Sequence, residues 1–309
     1  MRNKHFFLSV AAALSCFLLG PAAAHAIINA DNPTSTTPDN TTAPSALPQW
    51  NNIGTVNGSS GIYLGNGWVL TADHVGAGNF TLDGTTYLWN GNAEIRLNNT
   101  DGSGPADLVM FQLTSRPTGV SQLAIASTSP TIGTSFYNVG YGLARDTAEE
   151  YFNYNSTTKV FTQTSNSSAA YQGFGYASPN TKSWGQNSVA GFQSYNIGFG
   201  NVNAFYSTFT GTTDQIVSGD SGGGVFNSAG VLIGVNDAIG TYTNQPADTA
   251  FITDQSDLIN IAPFYNQITQ ISQVPEPSTL ALLAAWTGLL LIFQMPAALR
   301  KTRGERPLP

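Results

Sequence analysis

Between residues 50 and 115, short apolar runs alternate with turn residues: 53–56, 61–64, 68–71, 80–82, 93–97 and 108–113, each bounded by Gly, Asn or Asp. Runs of this length, rich in β-branched and aromatic side chains, predict about six strands in this half. A second set follows at 135–139, 159–164, 203–208, 224–226, 231–235 and 250–253. Between 144 and 201 the chain is rich in Gly, Ser, Asn and aromatics, which predicts long surface hairpins or loops and no further domain. Residues 257–271 carry Leu258, Ile261, Phe264, Tyr265 and Ile268 at helical spacing and predict a closing helix. No internal repeat is present. The predicted class is mostly β.

The two ends have different patterns. Residues 1–26 place Arg2 and Lys4 before an apolar run, 6–19, and end in Ala22-Ala23-Ala24-His25-Ala26. That is the layout of a secretory signal peptide, with a mature chain starting at Ile27. Residues 32–45 contain almost nothing apolar, so 27–48 reads as a flexible lead-in. At the far end, 273–309 holds Val274-Pro275-Glu276-Pro277, an uncharged and largely apolar stretch at 278–299, and then Arg300, Lys301, Arg303 and Arg306. The stretch is long enough for a transmembrane helix with its basic side in the cytoplasm. The order resembles the PEP-CTERM sorting signal of Gram-negative bacteria. That resemblance implies transient membrane anchoring, processing by an exosortase-type enzyme, and a destination at the cell surface or in the extracellular matrix.

What remains, 27–274, is enough for one large or two small domains with a proper core. It has five basic residues against sixteen acidic ones, which argues against nucleic acid as a partner. The single cysteine, Cys16, lies in the signal peptide, so disulfides, thiol catalysis and thiolate metal sites are excluded from the mature chain.

His5 and His25 leave with the signal peptide, which makes His74 the sole imidazole of the mature chain. It stands in Gly67-Trp68-Val69-Leu70-Thr71-Ala72-Asp73-His74-Val75, an apolar strand running into a small-residue turn. Asp107 leads into the apolar Leu108-Val109-Met110-Phe111. An imidazole that accepts a hydroxyl proton needs such a carboxylate on its other nitrogen. Ser221 lies in Ser218-Gly219-Asp220-Ser221-Gly222-Gly223-Gly224, whose glycines permit a tight turn that aims backbone N–H groups at one oxyanion.

In the order His, Asp, Ser, these segments resemble the trypsin/chymotrypsin family, with its Thr-Ala-Ala-His-Cys, its Asp-led strand and its Gly-Asp-Ser-Gly-Gly-Pro. The departures are Asp73, Val75 in place of a cysteine, and Gly224 in place of the proline. Val139-Gly140-Tyr141-Gly142 is similar to the family's Gly-Trp-Gly turn. The resemblance spans roughly 49–271. It implies two packed six-stranded antiparallel β-barrels, about 49–125 and 130–272 of a 49–272 domain, with a C-terminal helix. It further implies His74 as general base, Asp107 as orienting carboxylate, Ser221 as nucleophile, and the Gly219 and Ser221 amides as oxyanion hole. Protein or peptide substrates are expected, with no cofactor and no metal.

In that family the residue six before the nucleophile lies at the base of the primary pocket. That residue is Gln215 here, with Asp214 adjacent. The family's freed N-terminus, of the type Ile-Val-Gly-Gly, inserts beside the aspartate preceding the nucleophile. Ile27-Ile28-Asn29-Ala30 and Asp220 would make the corresponding pair, whereas the lead-in reading leaves Ile27 disordered. Gly-x-Ser-x-Gly also fits α/β-hydrolases, but those place a histidine after the serine and none follows Ser221. The rival from another class is a catalytically silent surface or matrix binding protein on the same fold.

Overall fold

The computed structural model describes residues 27–30 and 40–272. The predicted signal peptide, sorting signal and 278–299 span fall outside the described residues. Among the described residues no helix is long and apolar enough to cross a membrane.

A short strand β1 (Ile28–Asn29) comes first, then a 3-10 turn at Pro48–Asn52. The first half follows with β2 (Ile53–Val56), β3 (Ser59–Gly65), β4 (Trp68–Thr71), β5 (Phe80–Leu82), β6 (Thr85–Tyr87), β7 (Trp89–Asn98) and β8 (Pro105–Leu113). These form one antiparallel sheet in the order β6-β5-β2-β3-β4-β8-β7. Its hairpins turn on Asn57-Gly58, Asn66-Gly67 and Asp83-Gly84, with both residues of each pair at positive φ. Such turns match the twist of the strands they join and so fix the register.

The second half runs through β9 (Ser135–Gly140), β10 (Ala144–Asn155), β11 (Val160–Thr164), β12 (Tyr171–Ala177), β13 (Ser183–Ser188) and β14 (Gly191–Tyr195). It continues with β15 (Val202–Thr208), β16 (Asp214–Gln215), β17 (Gly224–Asn227), β18 (Leu232–Gly240), β19 (Thr249–Phe251) and β20 (Gln255–Asn260). Its main sheet has the order β13-β9-β17-β18-β20-β15-β14, and β11-β10-β12-β19 form a separate four-stranded sheet. Each main sheet is thus a curled half-barrel of seven strands where six were predicted. The short β6 hairpin supplies one of the extra strands.

Several expectations need correcting. The helix predicted over 257–271 is β20 as far as Asn260, then a 3-10 turn at Ala262–Phe264, and only then α1 (Tyr265–Ser272). β20 lies between β18 and β15 and is buried on both faces, so its apolar residues do not alternate and mimic helical spacing. The 144–201 region is hairpins as predicted, but well formed ones. The lead-in also differs: Ile27 and Ile28 are fully buried, β1 pairs with β16, and Asn40 bridges to Trp184.

One continuous core joins the two halves. Ile53, Ile62, Leu64 and Leu70 of the first pack with Val139, Phe226, Val235 and Ile259 of the second, and Phe264 and Ile268 of the C-terminal segment close it. Truncating such a buried side chain to alanine costs about 2–5 kcal/mol. The shared core holds the ends of β4, β8 and β17 against one another, and there the predicted site residues sit.

Candidate active site

His74 lies just past β4, on a turn closed by Val75 N–H and Gly76 N–H donating to the Ala72 carbonyl (3.1 and 3.2 Å). Because β4 pairs Thr71 with Val109 on β8, the chain leaving β4 passes alongside Asp107. Asp107, fully buried, accepts twice from His74: its backbone N–H at Oδ1 (2.8 Å) and its ring Nδ1 at Oδ2 (2.8 Å). The double contact fixes the ring and favours the tautomer with its proton on Nδ1, so that in the neutral ring Nε2 is the free base position. Asp73, unexpected on the resemblance, pairs with Arg96 Nε (3.0 Å), and that nitrogen also donates to the Ala106 carbonyl (3.2 Å). This ties the histidine turn to β7 and β8.

Ser221 lies on the turn entering β17. The turn is anchored to the first half through Ser60, whose hydroxyl donates to the Gly219 carbonyl (2.9 Å) and accepts from Tyr141 N–H (2.8 Å), and whose N–H donates to the Ser221 carbonyl (3.0 Å). Gly222 has φ +82, and a Cβ there would sit 2.0 Å from Thr71 Oγ1, so the close approach of the halves requires glycine. Neither the Gly219 nor the Ser221 amide donates to an acceptor among the described residues. The Ser221 hydroxyl itself donates to the Asp237 carbonyl (3.1 Å), and no hydrogen bond joins it to His74 in this state. One staggered rotation of Oγ takes it off that carbonyl.

Asp220 points the other way, into a fully buried slot. Its Oδ2 accepts from Val217 N–H (2.8 Å) and from Ile27 N–H (3.4 Å). A Cβ on Gly140 would lie 2.3 Å from the carboxylate and one on Gly142 2.6 Å, so the Gly-Tyr-Gly turn makes room for this acid. Burial pushes Asp220 up to about 8, against the hydrogen bonds to Val217 and Ile27. Ile27 and Asp220, 193 positions apart, are therefore brought together.

Gln215 and Asp214 are both fully buried, and their side chains reach different neighbours. Gln215 Nε2 donates to the Gln255 carbonyl on β20 (3.0 Å), while Asp214 Oδ2 accepts from Asn138 Nδ2 on β9 (2.9 Å). Asp214 is thereby committed to the β9 side.

Three residues near the site were not read from the sequence. Asp237, nearly buried on β18, brings Oδ1 to 3.6 Å from His74 Nδ1 and accepts from the Tyr195 hydroxyl at Oδ2 (2.5 Å). Phe199 lies against the His74 ring, centroids 5.8 Å apart. An acid inside the apolar run 232–239 was the available signal for Asp237; nothing local marks Tyr195 or Phe199. Burial alone would lower the His74 pKa, but the hydrogen bond from its Nδ1 to Asp107 and the charges of Asp107, Asp237 and Asp73 outweigh it and raise it. Burial, then the neighbouring Asp107, pushes Asp237 up to about 7. His74, Asp107 and Asp237 also form a grouping of metal-ligand type, their atoms within 4.8 Å of one another, but both Asp107 oxygens and His74 Nδ1 are taken by their mutual hydrogen bonds.

Two curled β half-barrels meeting at a histidine, an aspartate and a serine define the scaffold of a serine protease. The family model for trypsin matches residues 40–261, and the chain belongs to the trypsin family. Among solved structures it is similar to neuropsin, a serine protease of mouse brain (15% identity, 76% of this chain and 99% of that one, TM-score 0.46). It is also similar to Rv3671c of M. tuberculosis H37Rv (11% identity, 77% and 98%, TM-score 0.44). The HtrA-type protease AlgW matches at 15% identity over 69% of this chain and 51% of that one, with a TM-score of 0.37. No curated protein matches the chain.

Proposed function

We propose that this chain is an exported serine endopeptidase that hydrolyses peptide bonds through an acyl-enzyme intermediate. The observation that carries the reading is the double contact of Asp107 with His74, 2.8 Å to the backbone N–H and 2.8 Å to Nδ1. It leaves Nε2 as the only basic position of the ring. Ser221 leaves the Asp237 carbonyl, gives its proton to Nε2 and attacks the substrate carbonyl. The oxyanion that forms is held by the Gly219 and Ser221 amides. Imidazolium then protonates the leaving amine, and water repeats the sequence on the ester. Reaction of a fluorophosphonate probe at Ser221, absent from Ser221→Ala, is the expected result. Failure of the folded wild-type chain to react would favour the catalytically silent binding protein.

The primary pocket ends on Gln215, uncharged and held by Gln255, so uncharged side chains are preferred before the scissile bond. Activation follows from export. Signal-peptide cleavage after Ala26 turns the Ile27 N–H into an ammonium group beside Asp220, giving that buried carboxyl a charged partner and holding the Gly219 to Ser221 turn. The order of signal peptide, protease domain and Pro-Glu-Pro-led tail supports passage across the inner membrane of a Gram-negative cell. Transient anchoring and release at the surface by an exosortase-type enzyme then follow.

A further inference from the structure

Asp237 occupies an irregular point of the fold. β18 pairs Asn236 with Leu258 and Ala238 with Asp257 on β20, which leaves Asp237 as the extra residue of a bulge. A bulge re-aims the side chain of the extra residue. Here it turns a carboxyl to the Nδ1 edge of His74, at 3.6 Å, beside the Asp107 oxygen at 2.8 Å. Oδ2 is held by the Tyr195 hydroxyl, while Oδ1 has no hydrogen-bond partner among the described residues. The main-chain carbonyl of the same residue receives the Ser221 hydroxyl. One residue therefore touches the ring, the serine and, through the ring, the first carboxylate.

We propose that Asp237 is a second positioning carboxyl for His74, acting with Asp107 to set the pH at which the ring becomes free to take the Ser221 proton. This rests on the reading of His74 as general base. Two buried acids and one imidazole hold their last proton most favourably on the ring, between two carboxylates, since neither acid then faces an ionised neighbour without a cation. The groups that face this cluster are His74 and Asp73 beyond β4, Asp107 on β8, Tyr195 on β14 and Asp257 on β20; Arg96 on β7 is engaged with Asp73. Removing the Asp237 charge while keeping its shape weakens the hold on the ring proton, and activity then persists to lower pH. Burial acts on the ring in the opposite direction and Asp107 raises it more than Asp237 does, so it is the change in the ring's titration when Asp237 alone is altered that reports its charge.

The full chain has three histidines, and with His5→Gln and His25→Gln only His74 remains to give an imidazole Cε1–H resonance. Its titration is followed by NMR in that background and with Asp237→Asn, and the rate of fluorophosphonate labelling is followed over the same pH range. The expected result is a midpoint lower by about one unit, roughly tenfold in proton affinity, with the acid limb of labelling moved equally. Tyr195→Phe, which leaves Asp237 in place but removes the donor to its ionised form, shifts both in the same direction by less. If Asp237→Asn does not fold, Asp237→Ser and Tyr195→Phe carry the test. A midpoint that stays in place in the folded variants overturns the role of Asp237, even if labelling is robust. A midpoint that moves in a chain that never labels supports the role toward the ring and sinks the endopeptidase reading.

Discussion

Asp107, from the first half, commits both carboxylate oxygens to His74, whereas Asp214, Asp220, Asp237 and Asp254, all buried in the second half, each keep one oxygen without a hydrogen-bond partner among the described residues. The consequence appears in their acidities. Chiefly through burial, Asp220 is pushed up to about 8, Asp237 to about 7, and Asp214 and Asp254 to about 6. The first half holds its imidazole through contacts between the turn after β4 and the neighbouring strand β8. The second half holds acids that favour the protonated form, and one of the few donors to Asp220, the Ile27 N–H at 3.4 Å, comes from the far end of the described chain.

The largest effect is expected from removing the parts that act as a unit. Ser221→Ala and His74→Ala should each abolish turnover of a peptide substrate with unfolding midpoints near wild type. Retained turnover in either would break the first side of the comparison. Asp107→Asn should fold and lose on the order of 10⁴-fold in kcat, because the amide favours the wrong tautomer of His74. A loss below about tenfold would transfer the orienting role to Asp237.

On the second side, one extra residue before Ile27 should cost about 10²–10³-fold in activity, as expected for a buried charge left without its partner. The same blocked chain should have a distinctive pH dependence of stability. Each raised carboxyl has a folded pKa above its unfolded value of 3.8, so its contribution is fully present below about 4 and is lost as pH rises through 6 to 8. Urea midpoints should therefore fall from pH 5 to pH 8, and more steeply for the blocked chain than for one starting at Ile27. Equal slopes would show that the Ile27 ammonium does not reach Asp220. The smallest effect concerns selectivity: Gln215→Asp should raise cleavage after Lys or Arg relative to uncharged residues by about ten- to a hundredfold. An unchanged peptide-library profile would remove Gln215 from the pocket.

Legibility in the sequence followed the range of the interactions. His74, Asp107 and Ser221 stand in short apolar or glycine-rich segments whose local pattern fixes their backbone, so they could be read from their neighbours. The strands at 53–56, 68–71 and 80–82 were legible to the residue because Asn-Gly and Asp-Gly turns punctuate them. β10, β12, β13 and β14 were not, since their Gly, Ser and Asn content gives little apolar alternation and their pairing comes from distant strands. β20 was mistaken for helix because burial on both faces erases period two. Asp237 could not be placed at His74 because the bulge that turns it there is set by the pairing of β18 with β20, 163 positions beyond the histidine.

Five rings of the four-stranded sheet, Phe152, Tyr154, Phe161, Tyr171 and Phe251, cluster with Tyr242 of the loop after β18, with neighbouring centroids 4.7 to 6.4 Å apart. Long exposed hairpins are where a chain is nicked, and on the proposed function copies of this chain would be substrates for one another. By stapling β10 and β11 to the loop that carries Tyr242, the rings withhold this hairpin from the extended conformation a cleft must grip. Self-digestion would then begin elsewhere, and Phe161→Ala would open this hairpin to it.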